Sequence, residues 1–377
     1  MPPARVLQFM SWMKGGGTES FVMTLYRHLD HTRVQFDFAL AEGGPCYYGE
    51  ELRAAGARVL RYPRPGVGSP LALHRALGRL LRENGPYAAV HSEMFAFSGY
   101  LLARAHQAGV PVRIAHSHAT VDYRQARWQR RVFRRAMSGL LRRHATHLFG
   151  CSEAALVALL GENWGPDPRR QVIPNPVDLA GYAELPADRA GLREELGLAE
   201  GGPLLGFVGR LAPQKNLRFL MSFFTALAQV QPRARLVVVG EGGQRPALEA
   251  WREEKGLGER VRLLGLRTDI PRVMGAIDAL LLPSVWEGLG TVVLEAQAAG
   301  TPCLCSEAVP ESADLALGLV QRLPTDQGPG PWLSALAVAL QIPRPAWAER
   351  RERFLATGHD AEALARKMEA VYLGEGT

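Results

Sequence analysis

Cysteine is scarce in this chain of 377 residues: there are four, and two of them, Cys303 and Cys305, are separated by a single residue. Such a set is too small and too closely spaced for a disulfide framework or a tetrahedral metal cage. Reduced thiols in a cytoplasmic protein are expected. Long hydrophobic runs are missing too. No segment reaches the roughly 18 apolar residues that a membrane span needs. The opening MPPARVLQFMSWMKGGG has neither a basic leader nor a small-residue cleavage site, and reads as a first core strand instead of a signal peptide. No repeat of solenoid period recurs. Lysine is almost absent as well: Lys14, Lys215, Lys255 and Lys367 stand against 40 arginines. A lysine inside a motif is thereby set apart from the general cationic background.

What is present is a 47% hydrophobic composition, ample for packed cores, and a net charge of +7. Length alone suggests two to three domains. The charge is unevenly placed. Residues 1–180 carry 23 Lys+Arg against 13 Asp+Glu, and the remainder 21 against 24, so the two parts hold +10 and −3. A basic excess of this kind suits nucleic acid, an anionic membrane or anionic small molecules.

Short apolar runs alternate with amphipathic stretches, the rhythm of βαβ units. Strands are predicted at Val6–Met10, Gln35–Ala41, Arg58–Tyr62, Ala88–Ser92, Arg113–His116 and His147–Cys151. A second series follows at Leu204–Gly209, Leu236–Gly240, Val261–Leu264, Ala279–Pro283 and Pro302–Ser306. The join QVIPNPVDLAGYAELPADRAGL, with Pro174 and Pro176, suits an extended linker. Two doubly wound α/β domains with a cleft between them follow. The expected division is 1–180 and 181–359, with a C-terminal helix of about 360–377 packing back on the first domain.

Three places carry candidate chemistry. After the first strand, K-G-G-G-T-E-S-F (Lys14 to Phe21) lets backbone approach a phosphate at a helix N-terminus. Gly15-x-Gly17-x-x-Ser20 nearly matches a dinucleotide fingerprint, and Asp37 lies where such a fold would hold a ribose. A tight turn without ligand fits the same residues. In the second series, G-R-L-A-P-Q-K-N places Arg210 and Lys215 at a strand's carboxyl end, where both could grip a pyrophosphate or remain solvated. Finally, L-L-L-P-S-V-W-E-G-L-G-T-V-V-L-E-A-Q-A-A-G puts Glu287 in a loop and Glu295 in the next helix. Glu287 reads either as a sugar-binding carboxylate or as a helix cap. Glu295 reads as a ribose ligand or a surface acid, although its apolar neighbours would make an unpaired carboxylate costly.

Together these elements resemble the retaining glycosyltransferases of the GT-B fold, in the "glycosyl transferases group 1" family (family 4 type), nearest to its exopolysaccharide and capsule members. G-G-T-E-S-F-V-M-T-L-Y-R-H-L-D looks like their G-G-A-E opening, R-I-A-H-S-H-A-T like their histidine strand, V-I-P-N-P-V-D like their interdomain N-G-V-D, and D-I-P-R-V-M-G-A-I-D-A-L-L-L-P-S like the lead-in to their glutamates. The likeness spans nearly the whole chain. It implies two Rossmann-like domains facing a cleft, and a hexosyl- or N-acetylhexosaminyltransferase. The implied substrates are a nucleotide sugar, UDP-linked by the exopolysaccharide likeness, and a glycan or lipid-linked acceptor. It implies no metal and no cofactor, the nucleotide sugar being a substrate.

Position by position, the resemblance implies that Gly16 and Gly17 lie against the donor pyrophosphate, with Arg210 and Lys215 opposite. The backbone amides of Leu289, Gly290 and Thr291 complete the phosphate site, Glu295 holds the ribose, and Glu287 the transferred sugar. His118 matches the histidine beside that sugar. His116, two residues earlier, is expected to point the other way. Catalytic weight thus falls on His118, Glu287, Arg210 and Lys215. Gly15 stands where related sequences often have arginine, Gly290 where they have proline and Pro176 where they have glycine, which leaves donor choice open.

The segment Arg124 to His144 holds eight arginines and no acid, with Trp128, Val132, Phe133, Ala136, Met137, Leu140 and Leu141 at helical spacing. It reads as a core helix with a solvated basic back, or as a surface in which Arg124, Arg127, Arg130, Arg131, Arg134 and Arg135 meet an anionic membrane at its inner face. Three rivals are separable. NAD binding would favour a nicotinamide-dependent oxidoreductase, and product without acceptor a nucleotide-sugar epimerase of the same fold. Retained RNA would favour a nucleic-acid binder, for which no motif is present.

Overall fold

In the computed structural model, which describes residues 2–13, 16–119, 128–183, 185, 189–196 and 201–375, the chain divides into two compact units. The first comprises Met1–Pro176 and Gly358–Thr377, and the second Val177–Thr357. The chain leaves the first unit at Pro176, inside the proline-rich join.

The first unit is built on seven parallel strands: β1 (Ala4–Met10), β2 (Val34–Ala41), β3 (Arg58–Tyr62), β4 (Ala89–Ser92), β5 (Val112–Ser117), β6 (His147–Gly150) and β7 (Arg170–Val172). Their order is β3-β2-β1-β4-β5-β6-β7. A parallel sheet must be covered on both faces, and alternation along β1 shows how. Val6 and Met10 join Phe36, Phe38 and Phe149 on one face, under the helices Gly17–His28 and Ala361–Leu373. Leu7 and Phe9 join Ala39 and Val90 on the other, under Pro70–Asn84 and Ser98–Gln107. The last helix starts at an Asp360 cap that accepts from Ala363 N at 2.7 Å, which satisfies one of the free amides of its first turn.

The second unit carries β8 (Leu204–Val208), β9 (Arg235–Val239), β10 (Val261–Gly265), β11 (Ala279–Leu282), β12 (Cys303–Ser306) and β13 (Val320–Leu323), in the order β10-β9-β8-β11-β12-β13. Both sheets reverse their strand order beside the first strand of the unit, between β1 and β4 and between β8 and β11. Loops leaving the carboxyl ends at such a reversal diverge, which is where open α/β sheets bind ligands. Among the described residues, no helix is long and apolar enough to cross a membrane. All four cysteines are free thiols.

Two strands, β7 and β13, were not anticipated. Both lie at sheet edges and are half-exposed, so neither shows a hydrophobic run. Asp37 is a correction of another kind. It sits midway along β2, fully buried, and accepts from Arg5 Nε at 2.9 Å, Arg58 Nε at 3.0 Å and Tyr87 Oη at 3.1 Å. Burial would raise its carboxyl, but the two guanidiniums more than offset that and hold it below the usual carboxylate range. It is an internal counter-charge with no access to a ribose.

Glycine controls how closely β8 and β9 end. Gly240 has φ 132°, and a Cβ there would lie 2.0 Å from Gly209 O; one on Gly242 would lie 2.4 Å from Leu211 O. Gly240→Ala is expected to lower the free energy of unfolding by about 2–3 kcal/mol, measured by urea denaturation. A wild-type midpoint would show that the close approach can relax.

Candidate functional site

In the second unit the site begins where β8 and β11 end. The loop after β11 is tied to the loop after β8, because Val285 N donates to Gln214 O at 2.7 Å and Gln214 Nε2 to Trp286 O at 3.0 Å. These ties bring together two residues 72 apart in sequence: Lys215 Nζ lies 2.5 Å from Glu287 Oε1, which also accepts from Ser284 Oγ at 2.5 Å. Ser284 is itself fixed, since Ser306 Oγ donates to its carbonyl at 2.6 Å. Both members of the ion pair are largely buried. Lys215 is therefore a positioned cation with a counter-ion, not one of two equivalent free charges. Arg210 is the exposed partner at the end of β8, and no carboxylate among the described residues pairs with it.

Gly290 has φ 76°, left-handed backbone that favours glycine, and Thr291–Ala299 begins right after it. Val293 N donates to Gly290 O at 2.8 Å, and the positive end of the helix dipole, together with the amides of Leu289 and Gly290, makes this an anion-attracting end. Glu295 lies in the second turn of this helix. Its residue surface is half-exposed, yet its carboxyl group is surrounded by protein, and burial pushes it up to about 7. Its charge in turn helps raise the buried Tyr182 phenol, after burial itself. No described side chain pairs with Glu295.

In the first unit, Gly16 precedes the helix Gly17–His28 and accepts from Ser20 N at 2.9 Å. A Cβ on Gly17 would meet nothing within 4 Å. Packing within the protein does not require glycine there, which leaves room for a ligand. Lys14 and Gly15 lie outside the described residues. His118, just beyond β5, is mostly covered, and its Nε2–H donates to Glu93 Oε2 at 3.0 Å. Burial opposes charge on this ring, but the Glu93 carboxylate and the neighbouring Cys151 outweigh it, raising His118 to about 10.

His116 does not point away from His118. Residues two apart in a strand share a face, and the two rings lie 4.2 Å apart, with Phe21 packed against both at 4.8 Å. Glu93 is the residue that sequence reasoning missed. Its signal lay in the same period of two: A-V-H-S-E places His91 and Glu93 on one face, just as H-S-H places His116 and His118.

The basic helix Trp128–His144 is half-anchored. Leu141 is buried and Gly99 lets the backbone of Met137 approach, whereas Trp128, Val132 and Phe133 are 69%, 60% and 42% exposed. Arg131 and Arg135 are exposed beside them and Arg130 is half-buried. Arg134 instead donates to Ala158 O at 2.6 Å and stacks over Phe95. Arg124 and Arg127 lie outside the described residues. A helix with its whole apolar face in the core is thus excluded for the first two turns.

Comparison with known proteins follows the same division. Residues 16–176 match the family model for a glycosyl transferase 4-like domain, and residues 188–317 that for glycosyl transferases group 1. EpsF of Bacillus subtilis (strain 168), provisionally named a glycosyltransferase, is 34% identical over 98% of this chain and 96% of its own. An Escherichia coli UDP-Gal:alpha-D-GlcNAc-diphosphoundecaprenol alpha-1,3-galactosyltransferase is 39% identical over 37% of each chain. Among solved structures, Anabaena HepE in complex with UDP and glucose superimposes with a TM-score of 0.70 at 22% identity, covering 98% of this chain and 97% of that one. WaaG, a glycosyltransferase involved in lipopolysaccharide biosynthesis, superimposes at 0.71 and 20% identity, covering 98% and 100%.

Because burial raises Glu295 from 4.5 to about 7, the folded chain holds a proton there that the unfolded chain has released. That contribution is fully present below the unfolded value and is lost as pH rises through about 7. Glu295→Gln is expected to flatten this part of the stability profile, read as urea midpoints between about pH 4 and pH 8. Parallel wild-type and variant profiles would refute the burial of the carboxyl.

Proposed function

This chain belongs to the group 1 glycosyl transferases, and we propose that within the family it moves a sugar from a UDP-sugar to a lipid-linked or polysaccharide-precursor acceptor with retention of anomeric configuration. The observation that carries the reading is the Lys215–Glu287–Ser284 cluster beside a helix N-terminus, at the strand-order reversal of the second sheet. Departure of a nucleoside diphosphate builds negative charge on its β-phosphate. Donors already fixed in place stabilise that charge without reorganising. Lys215, held by Glu287, is such a donor; Arg210 adds a fork that suits phosphate, and the amides of Leu289, Gly290 and Thr291 add a third contact. Glu295 accepts from the ribose hydroxyls as a carboxylate. Glu287 orients the transferred sugar through the oxygen that Lys215 and Ser284 leave uncommitted.

The resemblance assigns Gly16 and Gly17 to the pyrophosphate and His118 to the sugar. His118 is suited to donate a hydrogen bond, since Glu93 favours its charged form. Retention proceeds by front-face displacement, the leaving phosphate taking the acceptor proton, and transfer needs no metal and no cofactor. The protein acts in the cytoplasm at the inner face of the membrane, where the exposed Trp128, Val132 and Phe133 beside Arg131 and Arg135 enter an anionic surface.

The donor is identified as the nucleotide sugar that raises the melting temperature by mass action. With it, Lys215→Ala is expected to reduce turnover about 10²-fold or more. Because that change also strands Glu287, stability falls too. The double variant Lys215→Met/Glu287→Gln separates the two effects by restoring the melting temperature but not turnover. Recovery of both would refute the electrostatic role. For the acceptor side, sedimentation with phosphatidylglycerol vesicles at low salt is expected to bind the wild type, and Trp128→Ser/Phe133→Ser to bind at least about tenfold less. Equal partition of the two proteins would refute membrane docking through this helix.

A further inference from the structure

On the covered face of the first sheet, β4 and β5 place His91, Glu93 and His116 together. Their atoms are spaced oddly for a hydrogen-bonded network. His91 Nε2 lies 3.3 Å from His116 Nδ1 and 3.3 Å from Glu93 Oε1, and His116 Nδ1 lies 3.7 Å from the same Oε1. Good hydrogen bonds between such groups run to about 2.7–3.2 Å. A triangle with edges of about 3.4 Å, by contrast, is one face of a tetrahedron whose corners lie about 2.1 Å from a central zinc-sized cation. Glu93 Oε1 accepts no hydrogen bond although its side chain is only 1% exposed. The ion pair with His118 accounts for Oε2 and leaves Oε1 unexplained.

We propose that His91, Glu93 and His116 bind one divalent cation of the zinc type. Two imidazole nitrogens and one carboxylate oxygen form a donor set that zinc favours and that calcium and magnesium do not. Two of the three ligands have the outer contact that orients a metal ligand, whereas His116 Nε2 has none. His91 Nδ1 lies 2.8 Å from Tyr372 Oη, so a proton held there leaves Nε2 free to coordinate. Glu93 Oε2 is held by His118 at 3.0 Å. The absence of thiolates, which made a metal unexpected from cysteine counting, is no obstacle to this set. The ion ties β4 and β5 to the C-terminal helix through Tyr372. Because Glu93 also holds His118, a bound ion would weaken the charge that favours protonated His118; metal retention is read without any transfer assay, so the failure of either reading is visible by itself.

The test uses the full chain without an affinity tag, loaded with Zn²⁺, desalted and assayed for metal by mass spectrometry. The wild type is expected to retain about one zinc per chain. Glu93→Gln and His116→Gln, shown folded by circular dichroism, are expected to retain less than about a tenth of that. Wild-type retention below about a tenth of an equivalent, or full retention in both variants, overturns the proposal. Should the variants not fold, cobalt(II) substitution of the wild type decides. Visible bands of tetrahedral cobalt without a near-ultraviolet thiolate band support the site. Featureless spectra, or a thiolate band, overturn it.

Discussion

A parallel sheet can reverse its strand order in only a few ways, and at each reversal the loops above two neighbouring strands must part. Both units of this chain reverse beside their first strand. The candidate residues gather at these carboxyl edges: Gly16 after β1 and Glu93 after β4 in one unit, Arg210 after β8 and Glu287 after β11 in the other. Other consequences follow from that constraint. The loops that part must still be anchored, so Gln214 and Val285 bind across the gap, and Gly240 and Gly242 admit neighbouring carbonyls that a Cβ would displace. Position precedes chemistry here: Lys215 acts as a fixed charge only because the loops on either side of the reversal are stitched together.

Much of this was legible in the amino-acid sequence, for a physical reason. Strands in the interior of a sheet are buried on both faces, and nine of the eleven predicted ones are interior; the edge strands β3 and β10 were still legible because RVLRY and VRLLG keep apolar residues. The edge strands β7 and β13 are short and half-exposed, so their pairing is decided by neighbours that sequence reading cannot see. The same limit applies to charge. Asp37 has the right spacing for a ribose acceptor, and only the approach of Arg5, Arg58 and Tyr87 from other strands reveals it as an internal counter-ion. Lys215 and Glu287 were each visible as candidates. Their pairing was not, because it depends on 72 intervening residues folding into a sheet.

Polar groups on the covered face of the first sheet follow a different logic. Gln8, His91 and His116 occupy inward positions that Val6, Ala89 and Ile114 fill one step earlier along the same strands. A packed core loses stability by admitting such groups, unless they satisfy one another or a ligand. Here the apolar stripe gives way to imidazole and carboxylate toward the carboxyl edge. Burial favours the neutral form of all three rings, which His91 and His116 keep, whereas the Glu93 carboxylate overrides it at His118.

The chain crosses between units twice, at Pro176 and again at Thr357, so the first unit is not one continuous stretch of sequence. The helix Ala361–Leu373 fills one face of the first sheet, with Met368 and Tyr372 buried and Tyr372 meeting Phe36 at 5.5 Å and His91 at 2.8 Å. Synthesis therefore delivers the pieces out of order. The strands of the first unit leave the ribosome early, with part of their apolar face uncovered, and the second unit is complete in sequence before the covering helix exists. Premature termination anywhere in the final turns would spare the later-made unit and leave the earlier-made one unfinished.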